Sequence, residues 1–155
     1  MSLAIAVETP LQDDVRAMVA ELNATMIPLT PREFQFQLTV EQMADPSLTV
    51  FVARNEAGRS VGMASLKDHG GGIGEVKRMF TLPEVRGQRV GSQLLQQLEG
   101  LAREKGITRL VLETGEAPGF EAAYRVYERG GFSVCGAVLD YPDSGFSRFY
   151  EKKIA

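Results

Sequence analysis

The apolar positions of this sequence recur with two different periods, and the changes of period divide it into helices and strands. Between residues 11 and 22, apolar side chains return every three or four positions, which is the spacing of an amphipathic helix. Residues 48–53, 61–66 and 73–82 are instead rich in aliphatic and β-branched residues and are predicted strands. Helical spacing resumes at residues 90–102, so a second strong helix is expected there.

Weaker signals complete the predicted order of elements. The run Thr30-Pro31-Arg32-Glu33 matches a capping box with proline at the first helical position, and a less regular helical region follows it to about residue 46. The other predicted elements are a strand at residues 4–7, a glycine hairpin connection at 70–72, a strand at 110–112, a helix at 120–128, and strands at 132–138 and 146–152. The order β-α-α-β-β-β-α-β-α-β-β predicts a mixed α/β (α+β) fold with a partly parallel sheet, and residues 1–155 are expected to form a single domain.

The composition limits the class of protein. The 155 residues are 44% hydrophobic and 24% charged, which is ordinary for a globular domain. Lys and Arg number 17 and Asp and Glu 20, so the net charge is −3 and no nucleic-acid partner is expected. One histidine and one cysteine argue against a disulfide and against a metal site. Because no apolar run is long enough to cross a bilayer and no basic segment opens the chain, we expect a cytoplasmic protein without a membrane partner. The sequence does not determine the oligomeric state, and a homodimer is one of the alternatives.

The most informative segment, residues 83–92, joins a predicted strand to a predicted helix. Its candidate binding residues are Arg86, Gly87, Gln88, Arg89, Val90, Gly91 and Ser92. A helix start offers unpaired N–H groups and partial positive charge, glycines allow close approach to the backbone, and arginines supply bidentate donors. This combination indicates a pyrophosphate site. The alternative is an ordinary turn with solvated arginines. Neither G-x-x-x-x-G-K-[ST] nor G-x-G-x-x-G is present, which disfavours a nucleoside triphosphatase and a dinucleotide oxidoreductase.

Two segments of the chain resemble one known family. In residues 76–95, Arg86 and Gly91 fill the first and last positions of the pattern [QR]-x-x-G-x-[GA], and Arg89 replaces its middle glycine. Residues 122–132 resemble the later pattern A-x-x-L-Y-x-x-x-G-F, in which Tyr127 takes the place of the tyrosine. Both patterns are typical of the GNAT acetyltransferase superfamily and occur here in its order. The resemblance implies the GNAT acyl-CoA transferase fold, a mixed sheet of about seven strands flanked by about four helices.

The resemblance also implies a reaction, the transfer of an acetyl group from acetyl-CoA, as cosubstrate, to an amine. In this family the pantetheine arm lies like an added strand along the fourth strand, which assigns the backbone of Met79, Phe80 and Thr81 to its binding. Tyr127 matches the tyrosine that acts as general acid toward the departing thiolate. The alternative for Tyr127 is a packed aromatic that anchors its helix to the sheet.

Two glutamates are candidates for the base that takes the proton of the amine. Glu75 lies on the predicted fourth strand, where several relatives carry their base, and Glu113 ends the fifth strand. Either could instead form an ion pair with a neighbouring Lys or Arg. His69, beside the glycine run, is expected to be a solvated loop residue. Arg125 and Arg129 are expected on a solvated helix face.

The acceptor site of the family is built from its N-terminal helices, connecting loops and last hairpin. Here these segments are residues 26–36, 117–120 and 140–149. Among their aromatic and charged residues, or next to them, are Phe34, Phe36, Tyr141, Phe146, Tyr150, Asp140, Asp143 and Arg148. This mixture suits a small-molecule amine with some apolar body. Acetylation of a protein or peptide, and a non-catalytic acetyl-CoA-binding module, are the alternatives.

Overall fold

The computed structural model describes residues 3–29, 31 and 38–154. Within them, seven strands and four α-helices follow one another in the predicted order. The strands are β1 (Ala4–Val7), β2 (Leu48–Arg54), β3 (Ser60–Gly70), β4 (Ile73–Thr81), β5 (Arg109–Gly115), β6 (Ser133–Cys135) and β7 (Ser147–Lys153). The helices are α1 (Asp13–Met26), α2 (Val40–Met43), α3 (Val90–Glu104) and α4 (Glu121–Arg129), with 3-10 turns at Ile27–Leu29 and Pro83–Val85.

All seven strands form one sheet, in the order β1-β2-β3-β4-β5-β7-β6. Neighbours are antiparallel except β4 and β5, which are parallel and are connected through α3. The turn between β3 and β4 consists of Gly71 and Gly72, whose φ angles of 64° and 83° are ones that glycine adopts without strain. The mixed seven-stranded sheet with four helices confirms the fold predicted from the sequence.

Strands β4 and β5 separate soon after they meet. Their pairing covers only Ile73–Glu75 against Arg109–Val111, although both strands continue beyond it, to Thr81 and to Gly115. Toward β5, the rest of β4 therefore faces a cleft instead of a strand. Alternate residues of an unpaired edge present their N–H and C=O groups outward. The divergence thus creates a binding edge in the middle of the sheet.

Helices α1 and α3 cover opposite faces of the sheet at this cleft. Arg78 of β4 donates a hydrogen bond to Asn23 of α1. The next residue, Met79, lies against the start of α3, since a Cβ on Gly91 would stand 3.0 Å from Met79 Cε. The side chains of these two neighbouring residues therefore lie toward different helices. Both helices bury apolar stripes, with Leu22 of α1 and Leu94 of α3 among the core residues.

A β-bulge interrupts β4 at Arg78. The pairing of β3 with β4 shifts between Met63 and Ser65, and Arg78 has a φ of 51°. Bulges re-aim side chains and are common next to functional sites. The bulge lies on the part of β4 that borders the cleft.

The second predicted helix differs most from expectation. The helix that the structure describes in this region is the single turn α2, which begins after a capping box between Thr39 and Gln42. The capping box predicted at residues 30–33 lies outside the described residues, apart from Pro31. Strand β6 spans Ser133–Cys135 only, shorter than predicted, because its pairing with β7 is limited to those three residues. Within the described part of the chain, no helix is long and apolar enough to span a bilayer.

Candidate active site

A cavity of about 450 Å³ opens where β4 and β5 separate and reaches the start of α3, a size typical of small-molecule sites. All the site residues predicted from the sequence except Gln88 line it. They are Glu75, Met79, Phe80, Thr81, Arg86, Gly87, Arg89, Val90, Gly91, Ser92, Glu113 and Tyr127. The Gln88 side chain instead lies 3.5 Å from the carbonyl of Glu84. Glu75 and Tyr127, which are far apart in the sequence, are thus brought together around one cavity.

One end of the cavity is the N-terminus of α3. Arg89 precedes the helix in the left-handed conformation, with φ 63°, and its side chain makes no capping hydrogen bond. The first backbone hydrogen bond across this end runs from the N–H of Gln93 to the carbonyl of Arg89, at 3.1 Å. The N–H groups of the first helical turn therefore remain available to a ligand. The hydroxyl of Ser92 is buried there and has no hydrogen-bond partner among the described residues.

Four arginines surround this end of the cavity: Arg86, Arg89, Arg125 and Arg129. Arg125 and Arg129, one helical turn apart on α4, were expected on a solvated face; both are exposed, but they also line the cavity. The carboxylates that line the cavity, Glu75 and Glu113, come from the sheet rather than from the α3 end. Cationic side chains, open N–H groups and an unpaired hydroxyl fit a pyrophosphate.

Glycine at position 91 is required by packing as well as by access. A Cβ at this position would lie 3.0 Å from Met79 Cε and 3.2 Å from Val126 Cγ1, which is tighter than ordinary van der Waals contact. Gly91 thus lets the start of α3 sit close against β4 and α4. At Gly87 a Cβ would meet nothing within 4 Å, but the φ of 84° favours glycine.

Glu75 is the most tightly held candidate base. Its side chain is 3% exposed and its carboxylate receives hydrogen bonds from Tyr141 Oη at 2.5 Å and Lys77 Nζ at 3.2 Å. His69 Nε2 lies 2.8 Å from the other carboxylate oxygen. His69 is the penultimate residue of β3 rather than part of a loop, and its side chain is 25% exposed. It therefore connects the buried carboxylate to the surface.

Glu113 stands on β5 beyond the point of separation. Ser147 donates a hydrogen bond of 2.5 Å to its carboxylate. Burial raises the pKa of Glu113 above its ordinary value, against the opposing effects of the Ser147 hydroxyl and the Lys77 charge. A carboxylate whose charged form is disfavoured in this way accepts a proton more readily. No group of three or more His, Cys, Asp and Glu residues that could hold a metal ion occurs in the described parts of the chain.

Tyr127 approaches from α4, on the other face of the sheet. Its ring packs on Tyr150 of β7 at 5.8 Å and on Phe132 at 6.1 Å between centroids. The neighbour of Tyr150 on β7, Phe149, points the opposite way, and its ring lies 6.0 Å from Tyr141, the partner of Glu75. Tyr127 and Glu75 therefore reach the cleft from opposite faces.

The electrostatic state of Tyr127 follows from its surroundings. Burial, followed by the charges of Glu113 and Tyr150, raises the pKa of Tyr127 well above that of a free phenol. The hydroxyl makes no hydrogen bond to any residue that the structure describes, although Tyr127 lines the cavity. It is thus a protonated donor beside the space where a ligand would lie.

Only some residues of the predicted acceptor segments line the cavity. Tyr141, Phe120 and residues of α1 such as Met26 line the cavity. Tyr150 does not belong there: it is fully buried behind Tyr127 and donates a hydrogen bond of 2.7 Å to Glu128. Its position in the middle of β7, opposite Leu112, turns it toward α4. Phe34 and Phe36 lie outside the described residues.

Besides Arg125 and Arg129, the site contains other lining or supporting residues that were not predicted for it: His69, Lys77 and Arg78. Alternation along β4 places Lys77 on the face of Glu75 and could have indicated it. The bulge that turns Arg78 toward α1 has no local sequence signal. The contact of His69 with Glu75 depends on the pairing of β3 with β4 across the hairpin.

Comparisons with known proteins identify the family of this chain. The Acetyltransferase (GNAT) family matches residues 15–132. The IAA acetyltransferase of Azospirillum brasilense is 37% identical over 154 residues, covering 99% of each chain. The aminoalkylphosphonate N-acetyltransferase of Salmonella typhimurium is 33% identical over 129 residues, or 77% of each chain. A solved structure from Klebsiella pneumoniae, described as an acyl-CoA N-acyltransferase, superposes with a TM-score of 0.86 at 29% identity, over 99% of this chain and 98% of that one. The chain is therefore an acetyltransferase of the GNAT family.

Proposed function

We propose that this enzyme transfers the acetyl group of acetyl-CoA to the amine of a small molecule by direct attack. The observation that carries the proposal is the single cavity that joins the cationic start of α3 to the cleft between β4 and β5, with Glu75 and Tyr127 on opposite faces of that cleft. A thioester seated along the cleft would have a base on one side and a proton donor on the other.

The cavity has separate binding regions for the pyrophosphate and the pantetheine arm of an acyl-CoA. The turn and first helical residues 86–92, here called the phosphate cradle, hold the pyrophosphate through backbone N–H groups, the Ser92 hydroxyl and flanking arginines. Arg86 lies over the Phe80 ring at 5.9 Å and within 3.4 Å of the Thr81 carbonyl, so its guanidinium is held beside the strand. The unpaired edge of β4 at Met79, Phe80 and Thr81 binds the extended pantetheine arm through its backbone.

The acceptor amine loses its proton on the face that carries the two glutamates. An alkyl amine with a pKa near ~10.4 is mostly protonated at neutral pH, so a base has to accept that proton as the C–N bond forms. Glu75 is our first candidate because His69 links it to the surface and can pass the proton on. Glu113 is the second candidate, since its burial favours protonation.

Tyr127 assists the leaving group. When bound, acetyl-CoA supplies a thioester whose C–S bond breaks to leave a thiolate. Because burial raises the pKa of Tyr127 above that of a thiol near ~8.5, complete proton transfer to the thiolate is unfavourable by itself. The phenol therefore acts through a hydrogen bond that strengthens as negative charge develops on sulfur, with the proton released by the amine completing the balance.

A small acceptor is supported by the size of the cavity and by the relatives. The volume of about 450 Å³ includes the cradle, so the part left for an acceptor suits a compact molecule. One relative is named for aminoalkylphosphonates, which are small amines. Tyr141 and Phe120 give this end of the cavity some apolar surface.

A comparison of acceptors tests the proposal. Purified enzyme and acetyl-CoA are incubated with a panel of small primary amines and, separately, with peptides that offer a free N-terminus or a lysine. Release of free thiol and the mass of the acetylated product are measured. Amine-dependent release confined to small molecules supports the proposal. Release with peptides alone would assign the enzyme to protein acetylation, and no release with any acceptor would reject the transfer.

A further inference from the structure

Arg78, in the wall of the cavity, is a buried cation with no counter-ion among the residues that the structure describes. The residue is 8% exposed and lines the cavity beside Leu22 and Met26 of α1. The hydrogen bond described for its guanidinium goes to Asn23 Oδ1, and its Nε is buried with no hydrogen-bond partner in the described parts of the chain. Across residues 3–29, 31 and 38–154, no carboxylate lies within ion-pair distance of it, and its pKa is lowered to about 10 by burial alone.

Burying a guanidinium without a counter-ion costs free energy unless another group compensates for its charge. A guanidinium has five N–H donors, and taking its charge out of water without a partner is strongly unfavourable. The adjacent Lys77 shows the usual solution, because its ammonium is paired with Glu75. With a pKa of about 10, Arg78 still carries its charge at neutral pH. Next to the proposed acceptor site, Arg78 therefore carries a positive charge that no described residue neutralises.

The β-bulge in β4 positions the Arg78 guanidinium at this wall of the cavity. Arg78 occupies the bulge of β4 with a φ of 51°, a conformation that a long side chain adopts only at some cost. The bulge directs the side chain to α1, whereas Met79 lies toward α3. Glu75 and Glu113 line the same cavity. One cavity thus combines carboxylates that suit an amine with a guanidinium that suits an anion.

We propose that Arg78 binds an anionic group of the acceptor, so that the substrate is an amine that also carries a carboxylate or a phosphonate. This inference rests on the proposed N-acetyltransferase function and specifies its substrate class. The planar guanidinium matches both anions through paired N–H···O bonds. When the anion binds, the unmatched charge of Arg78 gains its counter-ion and donors left unused in the described structure gain an acceptor.

Matched pairs of acceptors test the proposal. An amino acid and its carboxamide have nearly the same shape but differ in the negative charge, and an aminoalkylphosphonate provides the second anion. The kcat/KM of each is measured by thiol release at saturating acetyl-CoA. We expect the acids to exceed the amide by about tenfold or more, as for a charge-assisted hydrogen bond. The ratio of carboxylate to phosphonate then distinguishes the two anions.

Two variants connect that preference to Arg78. Arg78→Gln should lower kcat/KM for the acids by at least about tenfold more than for the amide. Asn23→Asp, which is nearly isosteric, places a carboxylate beside the guanidinium and should reduce the acid preference while raising the melting temperature or leaving it unchanged. This second variant keeps the test decisive even if Arg78→Gln fails to fold.

The outcomes separate this inference from the proposed function. If amides are acetylated as well as acids, or if both variants lower the rates of acid and amide equally, Arg78 has only a structural role and the inference is wrong. If no amine of either kind is acetylated, the proposed function itself fails. An acid preference that disappears in Asn23→Asp supports both.

Discussion

His69 Nε2 and Glu75 Oε1 lie 2.8 Å apart, so the single histidine of the chain contacts the most buried carboxylate of the candidate site. Glu75 is 2% exposed, so little of its carboxylate contacts water directly. The side chain of His69 is 25% exposed and bridges the carboxylate to the surface. This pair gives the proposed base an exit for the proton that it takes from the acceptor.

Removing the carboxylate of Glu75 should slow transfer most at neutral pH. Glu75→Gln keeps the shape of the side chain but removes its basicity, and we expect kcat to fall by about 10²-fold, the lower range for a lost general base. Raising the pH should restore part of the rate because more of the amine is already neutral. The pH–rate profile of the variant is the measurement.

The same profile of Glu113→Gln decides between the two candidates. Glu56→Gln, an exposed change in the turn after β2, is the matched control and should behave as the parent enzyme. Parent-like profiles for both Glu75→Gln and Glu113→Gln would show that the amine loses its proton directly to solvent.

His69 should matter to turnover without affecting the binding of acetyl-CoA. His69→Gln retains a hydrogen-bond donor near Glu75 but cannot carry a proton away, so kcat should fall while the KM for acetyl-CoA stays constant. Added imidazole should restore part of the lost rate because it can approach the exposed side of the pair. Turnover that is unchanged in this variant would limit His69 to a structural contact.

Tyr127→Phe removes one hydroxyl and should leave the packing on Tyr150 intact. We expect kcat to fall by about 10²-fold with little change in acetyl-CoA affinity. Tyr124→Phe, one turn earlier on α4, is the matched control, since Tyr124 bonds to the Gly115 carbonyl and does not line the cavity. Equal effects of the two changes would contradict a role for Tyr127 at the sulfur.

The pH dependence of the parent enzyme provides a separate check on Tyr127. Because burial raises its pKa, the phenol stays protonated beyond the ordinary value near ~10. We therefore expect no loss of kcat from tyrosine ionisation between about pH 8 and 10. A decline in that range that is absent from Tyr127→Phe would show that the phenol titrates normally.

Glu113 should contribute activity at the expense of stability. Its pKa is raised in the folded state, so the folded protein holds this proton more tightly than the unfolded chain does. Stability therefore falls as the pH rises from the ordinary glutamate pKa of about 4.3 through the higher folded value. Glu113→Gln, which can still accept the Ser147 hydrogen bond, should raise the melting temperature at neutral pH by a few degrees. The gain should vanish in acid, and a gain independent of pH would contradict this explanation.

The sequence predicted those parts of the molecule that depend on local pattern. Helical spacing located α3, the two glycines located the β3–β4 hairpin, and the family patterns brought the phosphate cradle and Tyr127 together. The remaining features depend on contacts between distant segments. The pairing of β3 with β4 places His69 against Glu75, and a register shift turns Arg78 toward α1. Tyr150 was expected near the acceptor site, but its side chain points toward α4. That direction is set by the pairing of Tyr150 with Leu112, which the sequence of one segment does not reveal.

Calorimetric titration with acetyl-CoA tests the central claim, that the start of α3 seats the cosubstrate. A Cβ at Gly91 points at Met79 and Val126 in the cavity, whereas one at Gly100 of the same helix meets nothing within 4 Å. Gly91→Asp and Gly100→Asp therefore add the same charge to one helix, inside and outside the proposed site. We predict one-site binding to the parent and to Gly100→Asp, and binding weakened by at least about tenfold in Gly91→Asp, for which a melting curve confirms folding. Absence of binding to the parent at millimolar acetyl-CoA, or equal affinity in all three proteins, would contradict the account.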